Sequence, residues 1–174
     1  MQGLTHIYYG NGKGKTTAAL GLALRAAGCG RRVVFVQFLK DWNCGELPSL
    51  ERLGITVLRG QAPGGVFAHE MTDEQKAETT AIHNANLKQA LKLQEQGECD
   101  LLVLDEALDA HSLGLLDSAL FEGLLTDKPA ELELVITGHK PDQRHLEFAD
   151  YVTEMVKRRH PYDKGVNARR GVEF

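Results

Sequence analysis

The residues best suited to chemistry lie near the amino terminus, in the stretch YGNGKGKTT at positions 9–17. Its glycines let the backbone curl so that successive N–H groups point at one anion, and a following helix adds the positive end of its dipole. The Lys15 ammonium group can reach phosphate oxygens, and the Thr16 hydroxyl can ligate the magnesium ion that accompanies a nucleotide. We call residues 10–17 the glycine-rich loop, and it predicts a nucleotide phosphate site.

The glycine-rich loop is one residue shorter than the general pattern GxxxxGK[ST], because its first glycine is Gly10 where the pattern requires a glycine at position 9. The alternative interpretation is a surface turn that happens to contain lysines. The neighbouring sequence favours phosphate binding, since an apolar strand at residues 4–8 precedes the loop and a helix-forming run at residues 17–27 follows it.

Two acids, Asp105 and Glu106, follow the apolar run of residues 101–104. In phosphate-binding folds this position holds the carboxylate that ligates or orients magnesium, across the sheet from the loop threonine. Two acids after a strand can also cap a helix. The glycine-rich loop upstream favours the metal-linked interpretation, so Asp105 and Glu106 are candidate partners of Thr16.

A third group of candidates, Gln37, Lys40 and Trp42, lies where the β-branched and aromatic run of residues 32–38 passes into an irregular loop. Ligands of open α/β sheets bind beyond the carboxyl ends of parallel strands, which is where these side chains are expected. A loop that only covers the core explains them equally well.

Strand and helix patterns alternate along the chain. Continuous apolar runs predict buried strands, and Thr72 with Gln75 forms a capping-box pattern that predicts the start of a long helix. The alternation predicts one α/β domain over residues 1–174, with a mainly parallel sheet and helices on both faces. The predicted strands cover residues 4–8, 32–38, 56–59, 101–104, 132–137 and 151–155, and the predicted helices cover residues 17–27, 49–53, 72–96 and 117–125, with another ending near 149.

The composition argues against several classes of partner. The 174 residues carry 20 Lys and Arg against 24 Asp and Glu, so a net charge of −4 gives no overall attraction to nucleic acid or anionic lipid. No apolar run is long enough for a membrane span, no signal peptide is visible, and the three cysteines lack CxxC spacing. We expect a cytoplasmic protein that binds neither nucleic acid nor membrane.

Positive charge is concentrated near the end of the chain, in residues 157–170. Such a segment is commonly a solvated tail. Pro161, Tyr162 and Gly165 suggest an ordered turn within it, and an ordered basic segment could close over a triphosphate. The residues alone therefore indicate a magnesium-nucleotide-binding α/β domain and do not identify its second substrate.

Six sequence blocks follow one another along nearly the whole chain: GNGKGKTTA at 10–18, VQF at 36–38, VLDE at 103–106, ITG at 136–138, ADYVTEM at 149–155, and an ending that begins with HPYDKG at 160–165 and runs through Arg169 to Phe174. Together they resemble the P-loop class of ATP:cob(I)alamin (corrinoid) adenosyltransferases, and the shortened loop is part of that family's pattern. The resemblance implies a P-loop (RecA-like) three-layer fold. It also implies transfer of the 5′-deoxyadenosyl group of ATP to the cobalt of cob(I)alamin, with release of triphosphate and formation of adenosylcobalamin.

The resemblance assigns roles to the candidate residues. Magnesium would bind Thr16 and Glu106, with Asp105 close by, and the catalytic set would be Lys15, Thr16, Glu106 and Phe67. Positive charge from the loop lysines would neutralise the departing triphosphate. The residues implied to hold the triphosphate are Gly10, Asn11, Gly12, Lys13, Gly14, Lys15, Thr16 and Thr17.

The family is also known to displace the lower axial ligand of the corrinoid with aromatic side chains from the loop before the long helix. Phe67 is the candidate match, and His69 falls near the position of the second aromatic residue. The resemblance further implies a homodimer and electron supply by a reduced flavodoxin or another flavoprotein. The residues by themselves leave two alternatives open, a generic P-loop ATPase or kinase and a nucleotide-regulated (RecA-like) binding module.

Overall fold

The computed structural model describes residues 2–64 and 68–174. Within these residues six strands form one sheet in the order β3-β2-β4-β5-β1-β6, and every neighbouring pair is parallel. The α/β prediction with a mainly parallel sheet is therefore confirmed. The strands are β1 (Thr5–Tyr9), β2 (Val33–Gln37), β3 (Thr56–Arg59), β4 (Leu101–Asp105), β5 (Glu133–Gly138) and β6 (Tyr151–Glu154).

Helices connect the strands, as parallel pairing requires. None of the helices in the described part of the chain is long and apolar enough to cross a membrane. Two single 3₁₀ turns cover Ala68–Glu70 and Pro161–Lys164. The helices are α1 (Lys15–Gly28), α2 (Leu47–Arg52), α3 (Asp73–Glu95), α4 (Ala107–Ser112), α5 (Ser118–Thr126) and α6 (Gln143–Glu147).

The sheet lies between two helical layers. Successive side chains of its central strands point to opposite faces and belong to two apolar clusters, one under each layer. On one face, the small side chains Ala19 and Ala23 of α1 pack against Phe35 and Val103. On the other face, Leu87 of α3 belongs to a larger cluster with residues of α4 and α5. Strands β2 and β4 are buried along their whole length, which explains their continuous apolar runs and confirms the three-layer prediction.

Two local predictions can be compared directly with the structure. The capping box that starts α3 is present, with Thr72 and Gln75 bonded reciprocally. Helix α4 was not predicted from the sequence. It has only six residues, too few to show a helical period, and Glu106, which directly precedes it, has a left-handed φ of +61° and makes no side-chain cap.

The strand register brings the candidate residues to one edge of the sheet, which we call the carboxyl edge. Tyr9, the last residue of β1, pairs with Gly138, the last residue of β5. Gln37, the last residue of β2, pairs with Asp105 of β4. The loops that follow these four strands therefore begin side by side, as expected for a ligand site of an open α/β sheet.

Candidate functional site

The glycine-rich loop has a backbone that only glycine can form. Gly10 and Gly14 have φ values of +111° and +118°, in the region that side chains disfavour. A Cβ added to Gly10 or Gly12 would lie 2.5 or 2.6 Å from the carbonyl oxygen of Met155, and the Gly12 N–H donates to that oxygen at 2.6 Å. Gly14 is the N-cap of α1, so the loop ends at the positive end of a 14-residue helix.

Lys15 bridges the two sides of this loop. Its Nζ donates to the carbonyl oxygens of Gly10 at 2.8 Å and Gly12 at 3.0 Å. Burial lowers the pKa of Lys15, and the nearby carboxylates of Asp109 and Glu106 act against that shift. The ammonium group is thus held at the loop opening by weak carbonyl acceptors, which a phosphate oxygen can replace.

Thr16 contacts the second sequence motif of the site, which consists of the two acids Asp105 and Glu106. The Thr16 hydroxyl donates to Asp105 Oδ1 at 2.9 Å, and the Thr137 hydroxyl donates to the same oxygen at 2.8 Å. Thr137 in turn accepts the backbone N–H of Glu106 at 2.9 Å. Asp105 is fully buried, and the hydroxyl groups from α1 and β5 fix its carboxylate in one orientation.

Lys40 supplies the positive charge for both acids of this motif. Its Nζ lies 2.7 Å from Asp105 Oδ2 and 3.1 Å from Glu106 Oε1, and the residue is only 8% exposed. Burial by itself would lower the pKa of Lys40, but the two carboxylates outweigh it and raise the pKa. Burial raises the pKa of Glu106, with Lys40 opposing. Lys40 was a sequence candidate, but its ion pair with Asp105, 65 positions away, had no local signal.

The end of the chain lies across the glycine-rich loop. Asn11 Oδ1 accepts the backbone N–H of Lys157 at 2.9 Å. Lys13 Nζ donates to the carboxylate of Glu173 at 2.7 Å and to the carbonyl oxygen of Val172 at 3.2 Å. Arg169 binds the same Glu173 carboxylate. Residues 157–174, which we call the terminal segment, are thus held against the loop. The turn predicted within them is present as the 3₁₀ turn Pro161–Lys164.

Two cavities open at the carboxyl edge. One, of about 440 Å³, is lined by the loop from Asn11 to Thr17 together with Glu106, His139, His160 and Glu173. Its neighbour, of about 860 Å³, is lined by Lys40, Trp42, Cys44, Glu46 and Phe174 among others. Thr16, Thr17 and Glu106 line both cavities, so the two form one site. We call the smaller cavity, at the glycine-rich loop, the phosphate compartment.

The structure does not bring every candidate into this site. Gln37 is buried and donates to Glu46 at 2.9 Å, beside the larger cavity. His69 lies in a 3₁₀ turn, its side chain is 76% exposed, and Glu70 is 3.8 Å away. Among the described residues, those that line the two cavities do not include His69. Phe67 lies outside the described residues.

One pair in the site was missed from the sequence. His139 follows β5, and its ring Nδ1 lies 3.0 Å from Asp109 of α4. The only sequence signal was the position of a histidine directly after a predicted strand. Asp109 lies in a helix that the sequence did not predict, so the pair could not be inferred.

Comparisons with known proteins relate this chain to one family of enzymes. The family described as ATP:corrinoid adenosyltransferase BtuR/CobO/CobP matches over residues 1–174. The corrinoid adenosyltransferase of Escherichia coli K12 is 32% identical over 174 residues, covering 99% of this chain and 86% of that protein. Corrinoid adenosyltransferase CobA of Salmonella typhimurium is 33% identical, with the same coverage, and the Pseudomonas aeruginosa enzyme is 34% identical over 99% of this chain and 84% of its own.

Among solved structures, the cytoplasmic domain of EssC has a similar fold, with a TM-score of 0.51 and 19% sequence identity. The alignment covers 97% of this chain and 36% of the EssC chain, so this similarity concerns the fold alone. The matches to the family and to its bacterial members extend over the whole length and confirm the resemblance seen in the sequence blocks. This chain belongs to the ATP:corrinoid adenosyltransferase family, whose reaction transfers the adenosyl group of ATP to a corrinoid and makes adenosylcobalamin.

Proposed function

We propose that residues 1–174 form a single domain that performs this transfer at the carboxyl edge, with the triphosphate of ATP as the leaving group held by the glycine-rich loop. The observation that carries the proposal is the 2.9 Å hydrogen bond from Thr16 to Asp105, at the point where the loop opens into both cavities. It joins the two motifs that a magnesium nucleotide requires.

The oxygen donors at this point suit Mg²⁺. Hard cations of this size take carboxylate and hydroxyl oxygens, and Thr16, Asp105 and Glu106 offer that set with no sulfur or imidazole among them. Bound there, the ion would neutralise charge on the phosphates. Lys40 lies against the same carboxylates, and we propose that its ammonium group compensates their negative charge.

The loop then has a simple task. Its backbone N–H groups and the ammonium groups of Lys13 and Lys15 bind the triphosphate where charge develops as the C5′–O bond breaks. The electron pair for the new cobalt–carbon bond comes from the reduced corrinoid, and the pair of the broken bond leaves with the triphosphate. No side chain has to remove a proton, so positioning and exclusion of water are the contributions of the protein.

The larger cavity is our candidate for the adenosine part of ATP and for access by the corrinoid. It is continuous with the phosphate compartment at Thr16 and Thr17. Trp42, an aromatic residue that is 42% exposed, lines it. Phe67 and His69 stay our candidates for the lower face of the corrinoid. For these two residues the argument depends on the family resemblance.

The homodimer, the reduced flavodoxin or other flavoprotein, and the cytoplasmic location are likewise proposals from the family. Light scattering of the purified chain tests the dimer, because a single mass near 19.2 kDa would contradict it. A reconstituted assay with a reduced flavoprotein in place of a chemical reductant tests the electron supply. A rate no higher than the rate without the flavoprotein would contradict that partner.

The reaction itself is tested with ATP, MgCl₂ and chemically reduced cobalamin. We expect a light-sensitive carbon–cobalt product and free triphosphate in equal amounts. Formation of ADP and orthophosphate without alkylated corrinoid would contradict the proposed leaving group. Omitting magnesium should abolish the product, and full activity in a chelator would contradict the proposed ion.

The role of Phe67 is tested by comparing adenosylation that starts from Co(II) cobalamin with adenosylation that starts from Co(I) cobalamin. Phe67→Ala should preserve ATP binding and should slow adenosylation more from Co(II) than from previously reduced Co(I), because ligand displacement matters only before reduction. The spectrum of the protein with Co(II) cobalamin and ATP reports directly on loss of the axial ligand. Equal losses from both starting states would indicate a packing role.

A further inference from the structure

His139, which is paired with Asp109, lines the phosphate compartment and belongs to neither of the two sequence motifs. His139 lies one residue beyond β5, and its backbone carbonyl oxygen accepts the N–H of Gly10 at 3.0 Å. His139 lines the 440 Å³ cavity together with the glycine-rich loop. The histidine is therefore attached to the first glycine of the loop and shares its cavity.

Asp109 fixes the orientation of this ring. One of its carboxylate oxygens lies 3.0 Å from His139 Nδ1, and the carboxylate also accepts the backbone N–H of His139 at 3.1 Å. The approach is possible because residue 138 is glycine, where a Cβ would lie 2.5 Å from Leu108 and 2.9 Å from Asp109. With Nδ1 engaged by Asp109, Nε2 is the ring nitrogen that can meet a ligand.

We propose that the imidazolium of His139, oriented by Asp109, is a direct ligand of the ATP triphosphate. This inference rests on the proposed role of the glycine-rich loop. An N–H donor that carries charge forms a strong hydrogen bond to a phosphate oxygen, and its charge lies where the leaving group accumulates negative charge. His139 is thus a substrate-binding residue in addition to the lysines of the loop.

The surrounding charges decide whether the ring is cationic. From α4, Asp109 faces it directly, and Glu106 adds a second negative charge, while Lys15 of α1 opposes both. The hydrogen bond to Asp109 outweighs partial burial and raises the pKa of His139. His160 and Glu173 of the terminal segment line the same cavity. The imidazolium therefore persists above the usual pKa of about 6.5, and triphosphate affinity falls as the pH rises through the raised value.

The test measures equilibrium binding of inorganic triphosphate with MgCl₂ by calorimetry, at about pH 6 and about pH 8.5. His139→Gln should weaken binding about tenfold at the lower pH, where it removes a charged hydrogen bond, and should have little effect at the higher pH. His139→Arg should bind well at both values. Comparison at equal pH removes the titration of triphosphate itself, which is common to all variants.

A matched control exists at the opposite edge of the sheet. His6 Nε2 lies 2.6 Å from Glu133, also a histidine–carboxylate pair, and His6→Gln should leave triphosphate binding unchanged at both pH values. His160→Gln distinguishes the contribution of His160, the other histidine that lines this cavity, from that of His139. Wild-type affinity for His139→Gln at the lower pH, or loss of binding in His139→Arg equal to that in His139→Gln, would overturn the proposal.

Lys15→Ala separates this proposal from the one on which it rests. If Lys15→Ala loses triphosphate binding and His139→Gln retains it, the loop is the phosphate site and His139 is not a ligand. If Lys15→Ala also binds triphosphate like the wild type, the proposed loop site itself is wrong. Because the His139 side chain is 62% exposed, its variants are expected to fold.

Discussion

The two edges of the sheet both carry charged side chains, but they use them differently. At the amino edge, where the strands begin, Arg32 makes a two-pronged contact with Asp100, with Nε–Oδ2 and Nη2–Oδ1 distances of 2.9 and 2.6 Å. The Arg32 side chain is 57% exposed. At the carboxyl edge, Lys40 is nearly buried and is shared between two carboxylates.

Charged side chains at the amino edge link two segments of the chain, whereas those at the carboxyl edge lie where a ligand is expected to bind. In the Arg32–Asp100 pair, one cation balances the charge of one anion at the protein surface. At the carboxyl edge, like charges are concentrated, with Asp105 next to Glu106 and Lys13 near Lys15, and a glycine backbone leaves room between them. Such an arrangement is costly without partners and is typical of a functional site. The following predictions test this contrast.

The largest expected effect is on turnover. Lys15→Ala and Thr16→Ala should each lower adenosylcobalamin formation by roughly a thousandfold, because they remove a charge and a metal ligand from the leaving group's site. The assay starts from chemically reduced cobalamin so that only the transfer is measured. Arg32→Ala is the control from the amino edge, and a similar fall in that variant would contradict the division between the edges.

The next effect concerns the free energy of unfolding. Lys40→Met leaves Asp105 buried with an uncompensated charge and should cost about 3 kcal/mol, whereas Arg32→Met, which breaks a solvent-exposed pair, should cost much less. Urea unfolding of the two variants measures both values. Excess MgCl₂ should recover part of the loss in Lys40→Met and none in Arg32→Met. Equal losses would mean that burial does not distinguish the two ion pairs.

A smaller effect is expected from the terminal segment. Glu173→Gln frees Lys13 from its 2.7 Å ion pair, and because that pair is partly exposed, ATP should bind only about two- to fivefold more tightly. Equilibrium binding of ATP measures the change. Weaker binding in this variant would instead show that Glu173 supports the loop in its binding conformation.

The smallest effect is a pH dependence at the amino edge. The hydrogen bonds from Arg32 lower the pKa of Asp100 to about 2. Because the folded-state pKa lies below the unfolded value of about 3.9, the pair stabilises the fold above that value and loses its effect as the pH falls towards 2. Urea midpoints of wild type and Asp100→Asn should therefore converge in acid. A constant difference across this range would contradict the assigned pKa.

The sequence predicted most of the fold and half of the site, because those parts have local signals. Glycines at fixed spacing after a strand indicated the loop, and two acids after an apolar run indicated the partner of Thr16. The predicted strand limits differ from the observed ones by no more than one residue at either end. For β2 and β4 the reason is that fully buried strands have continuous apolar runs. The short helix α4 had no period to detect.

The tertiary structure decided which side chains meet. Lys40 reaches Asp105 across 65 positions because β2 and β4 are neighbours, and His139 reaches Asp109 because α4 packs over the end of β5. Residue types and spacing determined the chemistry available to this chain, namely phosphate binding with oxygen ligands for a cation. The pairing of charges depended on the order and register of parallel strands, which arise from contacts between distant segments and leave no pattern within any one of them.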